Sequence, residues 1–122
     1  MGSHPINLAL RFLLELSALA SLGALGWTRV EGSARWLAVI ALPLVFMALW
    51  GTFAVPDDPS RSGGAPVPVS GGIRLTMELG LFALATAALS QGGHPRLAVL
   101  LGGVVLAHYL VSWDRIAWLL RQ

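Results

Sequence analysis

The first apolar segment contains Arg11-Phe-Leu-Leu-Glu15-Leu16, and the pattern Arg-x-x-x-Glu-Leu returns 63 residues later as Arg74-Leu-Thr-Met-Glu78-Leu79. Residues four apart share one face of a helix, so each arginine is expected to lie beside its glutamate. An ionisable residue inside a membrane segment is costly unless it has a partner. The two copies therefore predict a polar centre within an apolar fold.

The composition places the chain in a lipid bilayer. Hydrophobic residues make up 56% of the 122 positions and charged residues 11%, against about 45–50% and 25% in soluble domains. The stretch 36–55 carries no charge, whereas each helix of a soluble bundle needs a polar face. Four stretches are long enough to cross a hydrocarbon core of about 30 Å. They predict an all-α, integral membrane four-helix bundle in a single domain, 1–122, with transmembrane helices at 6–27, 36–55, 73–90 and 97–120.

The longest connection, residues 56–72, is rich in proline, glycine and serine. These residue types favour turns and extended backbone. We therefore expect an exposed loop between the second and third helices.

The repeat of the Arg-x-x-x-Glu pattern predicts two pseudo-symmetric transmembrane hairpins in the same orientation. An even number of crossings puts both termini and the long loop on one side of the membrane. Five arginines lie on that side and three lie in the two short loops. This bias favours cytoplasmic termini.

With the hairpins side by side, the four charged groups should meet at one depth. Arg11 could then pair with Glu78, and Arg74 with Glu15. Two interpretations remain open at this point. The pairs either hold the helices together, or they form a site in which the arginines bind an anionic group or a glutamate exchanges a proton.

Three more residues are candidates for this polar centre. Asn7, one turn before Arg11, is expected to cap the first helix or to join the charged cluster. His108 lies in the fourth segment, where an imidazole could relay protons to a glutamate or simply bond to a neighbouring helix. Trp50 is expected near the depth of the charged pairs, whereas the other tryptophans resemble interfacial anchors.

Several kinds of chemistry have little support in the residues. The chain has no cysteine, which excludes disulfides and thiolate metal sites. One membrane histidine and two arginine-matched glutamates leave too few ligands for a metal. No serine has a recognisable base and orienting partner, so we predict no catalytic residue and no cofactor. The net charge of +2 is too small and dispersed for a nucleic-acid surface.

The sequence resembles the YrdB family of small bacterial membrane proteins, a family of unknown function. The resemblance rests on Asn7-Leu-Ala-Leu-Arg11-Phe-Leu-Leu-Glu15-Leu16, on Leu49-Trp50-Gly51-x-Phe53-Ala54-x-Pro56, on the second Arg-x-x-x-Glu-Leu copy and on Gly93-His94-Pro95. It implies a four-helix protein of the bacterial inner membrane. It implies no activity and no catalytic residue.

Two hypotheses for function follow. In the first, a pocket binds or transports a small molecule, such as a lipid headgroup, an anionic metabolite or a quinone. In the second, the chain is a structural or accessory subunit of a larger membrane complex, and its ion pairs are architectural. The bilayer is the expected partner in both, and the sequence leaves a homodimer open.

Overall fold

The computed structural model describes residues 2–61 and 64–122, which are mostly helical. The predicted all-α class is confirmed, with one short strand pair added. The elements in chain order are α1 (Pro5–Arg29), α2 (Ala34–Thr52), β1 (Phe53–Ala54), β2 (Val67–Pro68), α3 (Gly71–Gln91), α4 (Pro95–Val111) and α5 (Trp113–Leu120).

Three helices, α1, α2 and α3, are each long and apolar enough to cross a membrane, and α4 with α5 makes a fourth candidate if the two count as one bent span. Large apolar side chains point outward, among them Ile40 (58% exposed), Leu84 (63%) and Leu106 (65%). Soluble monomers rarely expose so much contiguous apolar surface. The prediction of membrane-spanning helices is confirmed at the level of helix length and composition.

The fourth predicted helix, 97–120, is not continuous. It breaks at Ser112, and α4 and α5 are bent by 70° from one another. The Ser112 hydroxyl accepts a hydrogen bond from Asn7 Nδ2 at 2.7 Å, and Arg115 in α5 turns back into the protein, where it is 4% exposed. A single helix over 97–120 was expected, whereas the structure has two helices that meet at Ser112, where the contact with Asn7 is made.

The predicted exposed loop, 56–72, is exposed only in part. β1 and β2 pair in parallel, Phe53 opposite Val67 and Ala54 opposite Pro68, which closes the loop at its base. Asp57 has a left-handed backbone, φ 62°, a conformation that aspartate tolerates better than most residues. The turn directs Asp58 inward, where it is 5% exposed. A buried partner for its carboxylate explains the departure from a wholly exposed loop.

The apolar core lies where α1 packs on α2 and α3, and where α3 packs on α4. Two glycines allow close approach. A Cβ on Gly26 would lie 2.8 Å from the Ala38 carbonyl carbon, and one on Gly71 would lie 1.6 Å from the Leu119 carbonyl oxygen. The lack of a side chain at Gly71 therefore allows α5 to pack against the start of α3. The buried core residues are Leu14, Ala18, Phe46, Leu81, Phe82, Ala85, Leu101, Val105 and Tyr109.

Candidate functional site

Glu78 is the centre of the polar network. Its side chain is fully buried, and its two oxygens accept five hydrogen bonds, from Arg11, Arg74, Tyr109 and twice from Arg115. A buried carboxylate is stable only when its charge is paired and its lone pairs are satisfied. Glu78 meets both conditions.

Arg115 is the residue that sequence reasoning missed most clearly. Its two terminal nitrogens each donate to one oxygen of Glu78 at 2.8 Å, the two-pronged geometry that suits a guanidinium and a carboxylate. It also donates to Asp58 Oδ2 at 2.7 Å and to Ser60 Oγ at 2.7 Å. Arg115 thus ties α5 and the central loop to α3.

Arg74 and Trp50 lie together in the network. Arg74 Nε donates to Glu78 at 2.6 Å, and its Nη1 donates to the carbonyl oxygens of Trp50 and Phe53 at the end of α2. The guanidinium also lies 4.7 Å from the centre of the Trp50 ring, within range of a cation–π interaction. These bonds satisfy helix-end carbonyls that would otherwise lack partners.

Arg11 bridges the two copies of the pattern. It donates to Glu78 Oε2 at 3.1 Å, to Ser60 Oγ at 3.1 Å and to Glu15 Oε1 at 3.4 Å. The predicted cross-pair of Arg11 with Glu78 is therefore present. The symmetric pair of Arg74 with Glu15 is not, although the structure describes both residues: Glu15 pairs with Arg11, and Arg74 is committed to Glu78.

The charged network is larger than the two arginines and two glutamates that the sequence predicted. The ion-paired network contains three arginines and three carboxylates, because Arg115 and Asp58 join it. Neither lies in the repeated pattern, and their partners are distant in sequence. A balanced set lowers the penalty of placing charge in an apolar interior.

The Asp58 carboxylate belongs to the loop and not to a membrane segment. Burial favours its neutral form, but hydrogen bonds and the positive charge of Arg115 outweigh burial and hold the pKa of Asp58 below its ordinary value. The Ser60 backbone N–H and hydroxyl add two bonds to Asp58 Oδ1. Because the folded pKa is lowered, the pair stabilises the fold at neutral pH and is lost as the pH falls through that lowered value.

Asn7 and His108 form a second polar group beside the network. His108 Nδ1 lies 2.9 Å from Asn7 Oδ1, and Asn7 Nδ2 donates to Ser112. Asn7 therefore belongs to this second polar group, and His4 caps α1 by accepting from the Ile6 N–H. No hydrogen bond joins His108 to Glu15 or Glu78, all three of which the structure describes.

Tyr109 belongs to the charged network. It was not among the residues predicted for the site, yet its side chain is 5% exposed and its hydroxyl donates to Glu78 Oε1 at 2.7 Å. Its ring meets Phe82 edge to face, with centroids 6.3 Å apart. A tyrosine after a histidine carries no recognisable signal of this kind, so only the bundle geometry reveals it.

A polar cavity of about 320 Å³ lies beside the network. Glu15, the less buried of the two glutamates in the repeated pattern, lines it with 24% of its side chain exposed. Arg61 lines it too, and its Nε is buried with no hydrogen-bond partner among the described residues, while its Nη2 donates to the Gly51 carbonyl. A buried donor without a partner is unfavourable unless a ligand or water completes it. The lining residues are Leu8, Arg11, Phe12, Glu15, Trp50, Ser60, Arg61 and Arg74.

The seven residues predicted for the site thus divide between two places. Arg11, Arg74, Glu78 and Trp50 belong to the charged network, with Glu15 at its edge, whereas Asn7 and His108 lie behind it. In residues 2–61 and 64–122 no group of three histidine, aspartate or glutamate side chains is arranged to hold a metal ion. The residues that sequence reasoning missed are Asp58, Ser60, Arg61, Tyr109, Ser112 and Arg115.

Comparison with known proteins identifies relatives without a known activity. Residues 9–106 match the family described as "Protein of unknown function (DUF2568)". The chain is also similar to "Uncharacterized protein YrdB" of Bacillus subtilis (strain 168), with 42% identity over 119 residues that cover 98% of this chain and 97% of that protein. No solved structure matches the chain.

Proposed function

Because the chain belongs to the DUF2568 family of YrdB-like proteins, whose function is unknown, we propose a function from the site itself: the protein is a membrane protein that binds a small anionic molecule in the cavity beside the Arg/Glu network. The observation that carries this proposal is that Arg61 lines a polar cavity and has no ion pair with a described carboxylate. An anionic oxygen in the cavity would pair with its guanidinium and neutralise its charge.

The buried network forms one side of this cavity. Arg11 and Arg74 line the cavity, yet both are held by Glu78. Side chains locked by such bonds give a binding site a fixed shape. Arg61 is the lining arginine for which no ion pair with a described carboxylate is found, so it is the group on which a ligand would depend most.

For the surrounding architecture we propose two pseudo-symmetric hairpins, α1 with α2 and α3 with α4, in the bacterial inner membrane. The repeated Arg-x-x-x-Glu pattern in α1 and α3 supports the pseudo-symmetry, and Arg11 reaches across to Glu78 as the side-by-side arrangement requires. The excess of arginines on the side of the termini supports cytoplasmic termini.

The alternative function, a structural or accessory subunit, rests on a different observation. The Glu78 carboxylate accepts five hydrogen bonds, which supports an architectural role for this residue. The two hypotheses therefore concern different residues, Glu78 for architecture and Arg61 with Glu15 for binding.

Native mass spectrometry tests the binding hypothesis. The protein is extracted from its own membranes in mild detergent, and small molecules that stay bound are recorded with and without added inorganic phosphate. We expect an anionic adduct that added phosphate displaces. The Arg61→Gln variant should bind this anion about 10- to 100-fold more weakly, because a hydrogen bond to a charged group contributes about 1.5–3 kcal/mol.

Arg96→Gln is the matched control, because Arg96 is exposed at the start of α4 and does not line the cavity. It should retain the adduct. Equal retention by Arg61→Gln, or no anionic adduct on the unmodified protein, would contradict the proposal.

A further inference from the structure

The cavity beside the network is lined by two groups of opposite charge that have few partners. Arg61 has no ion pair with a described carboxylate, and its Nη2 donates to the Gly51 carbonyl. Glu15 is an acceptor whose Oε1 receives a long bond, 3.4 Å, from Arg11. A ligand that satisfies both must carry an acceptor for Arg61 and a donor for Glu15.

The charges around the cavity decide the net charge of that ligand. Four arginines line the cavity or join the network, and three carboxylates face them, so one positive charge lacks a counterpart among the described side chains; the seven are Arg11, Arg61, Arg74, Arg115, Glu15, Asp58 and Glu78. In a site of low dielectric an uncompensated charge is unfavourable. A ligand with a single negative charge balances the set, whereas a zwitterion leaves the excess in place.

The donor for Glu15 is then a neutral group. An ammonium on the ligand would cancel the negative charge that Arg61 requires. A hydroxyl donates a hydrogen bond without changing the net charge. The ligand therefore combines a singly charged acidic group with a hydroxyl.

Two apolar residues of α1 form the remaining side of the cavity. Leu8 and Phe12 line it, and Phe12 is 58% exposed on the surface of α1 that also carries exposed Leu13 and Leu16. In a membrane-spanning helix such a surface contacts acyl chains. The cavity, at about 320 Å³, is at the lower end of the range for small-molecule sites, which suits a headgroup and not a whole lipid.

We propose that the cavity binds the headgroup of a singly charged phosphodiester lipid that carries a hydroxyl, with the phosphate on Arg61, the hydroxyl on Glu15 and the acyl chains beside Phe12. This inference rests on the proposed function and names its ligand class. The same headgroup chemistry occurs in the deacylated, water-soluble phosphodiester, so the experiment must distinguish the two sources.

Lipid exchange followed by native mass spectrometry makes the test. The protein in detergent receives phosphatidylglycerol, phosphatidylethanolamine, phosphatidylmethanol or soluble glycerophosphoglycerol at equal concentrations. Phosphatidylglycerol should bind at least about tenfold better than the zwitterionic phosphatidylethanolamine, which corresponds to about 1.4 kcal/mol. It should also exceed phosphatidylmethanol, which has the same charge and lacks the hydroxyls.

Two variants assign the contacts. Arg61→Gln should reduce the binding of phosphatidylglycerol to the level seen for phosphatidylethanolamine. Arg96→Gln should leave the binding of phosphatidylglycerol unchanged. Glu15→Gln should abolish the preference for phosphatidylglycerol over phosphatidylmethanol and preserve the preference over phosphatidylethanolamine.

Three outcomes would overturn the inference. Equal binding of phosphatidylethanolamine removes the charge argument, and an unchanged hydroxyl preference in Glu15→Gln removes the Glu15 contact. Binding of glycerophosphoglycerol without binding of the lipid assigns the site to a soluble metabolite. None of these outcomes bears on whether phosphate displaces a bound anion in a manner that depends on Arg61. The proposed function can therefore stand while this inference fails.

Discussion

Glu15 in α1 and Glu78 in α3 occupy the same place in the repeated Arg-x-x-x-Glu-Leu pattern, but the fold treats them differently. Glu78 is fully buried and bonded to three arginines and a tyrosine. Among the described residues Glu15 has a single ion pair, with Arg11, and it keeps 24% of its side chain exposed. The same sequence pattern has therefore produced two different environments: the Glu78 carboxylate is fully hydrogen-bonded, and the Glu15 carboxylate remains available to a ligand.

The difference arises from parts of the chain that are not repeated. α5 supplies Arg115, and the loop between the strands supplies Asp58 and Ser60. Both close over the end of α3 that carries Glu78, since α5 packs on α3. The repeated pattern therefore determines the ion pair within each helix. The segments that occur once, α5 and the loop, determine which glutamate is buried in the network and which one lines the cavity.

The largest expected effect comes from neutralising the saturated copy. Glu78→Gln leaves three buried arginines facing the two remaining carboxylates, Glu15 and Asp58, and breaking a buried ion pair costs about 3–5 kcal/mol. We expect loss of most folded protein, measured by fluorescence-detected size-exclusion chromatography and by the thermal midpoint in detergent.

The double variant Arg74→Gln/Glu78→Gln restores the balance of charge and should recover part of that loss. A Glu78→Gln protein as stable as the unmodified one would show that the network does not hold the bundle together, and the comparison between the two copies would lose its energetic basis.

A smaller effect is expected from moving α5 off α3. In Gly71→Ala the new Cβ would lie 1.6 Å from the Leu119 carbonyl oxygen, so α5 must shift, at about 3 kcal/mol, the upper part of the range for overpacking. The shift would draw Arg115 away and make the surroundings of Glu78 resemble those of Glu15. Faster hydrogen exchange in α5, together with a lowered thermal midpoint, is the measurement.

The adjacent glycine gives a matched control. A Cβ on Gly72 would meet no atom of the described residues within 4 Å, so Gly72→Ala should leave both the hydrogen exchange and the thermal midpoint near those of the unmodified protein. If the two alanine variants behaved alike, the seating of α5 on Gly71 would not be what buries Glu78.

The sequence was sufficient for the first three helices and for half of the site. Apolar length predicted the spans, and four-residue spacing predicted the Arg11–Glu15 and Arg74–Glu78 pairs, because both are local properties of a helix. Arg115 and Asp58 could not be predicted, since their partners lie 37 and 57 residues away in sequence. The break at Ser112 was missed for the same reason: the apolar pattern continues through it, and only the contact with Asn7 marks the turn.

The smallest effect on stability is expected at the available copy. Glu15→Gln removes a half-buried carboxylate whose ion pair with Arg11 is 3.4 Å long, and exposed or partly exposed pairs contribute about 0–1 kcal/mol. Arg11 keeps its bonds to Glu78 and Ser60, so the network should stay intact. The thermal midpoint should therefore lie close to that of the unmodified protein and well above that of Glu78→Gln, measured side by side in the same detergent. If instead the two substitutions destabilised the protein equally, Glu15 would belong to the structural core, and its exposure to the cavity could no longer be read as availability to a ligand.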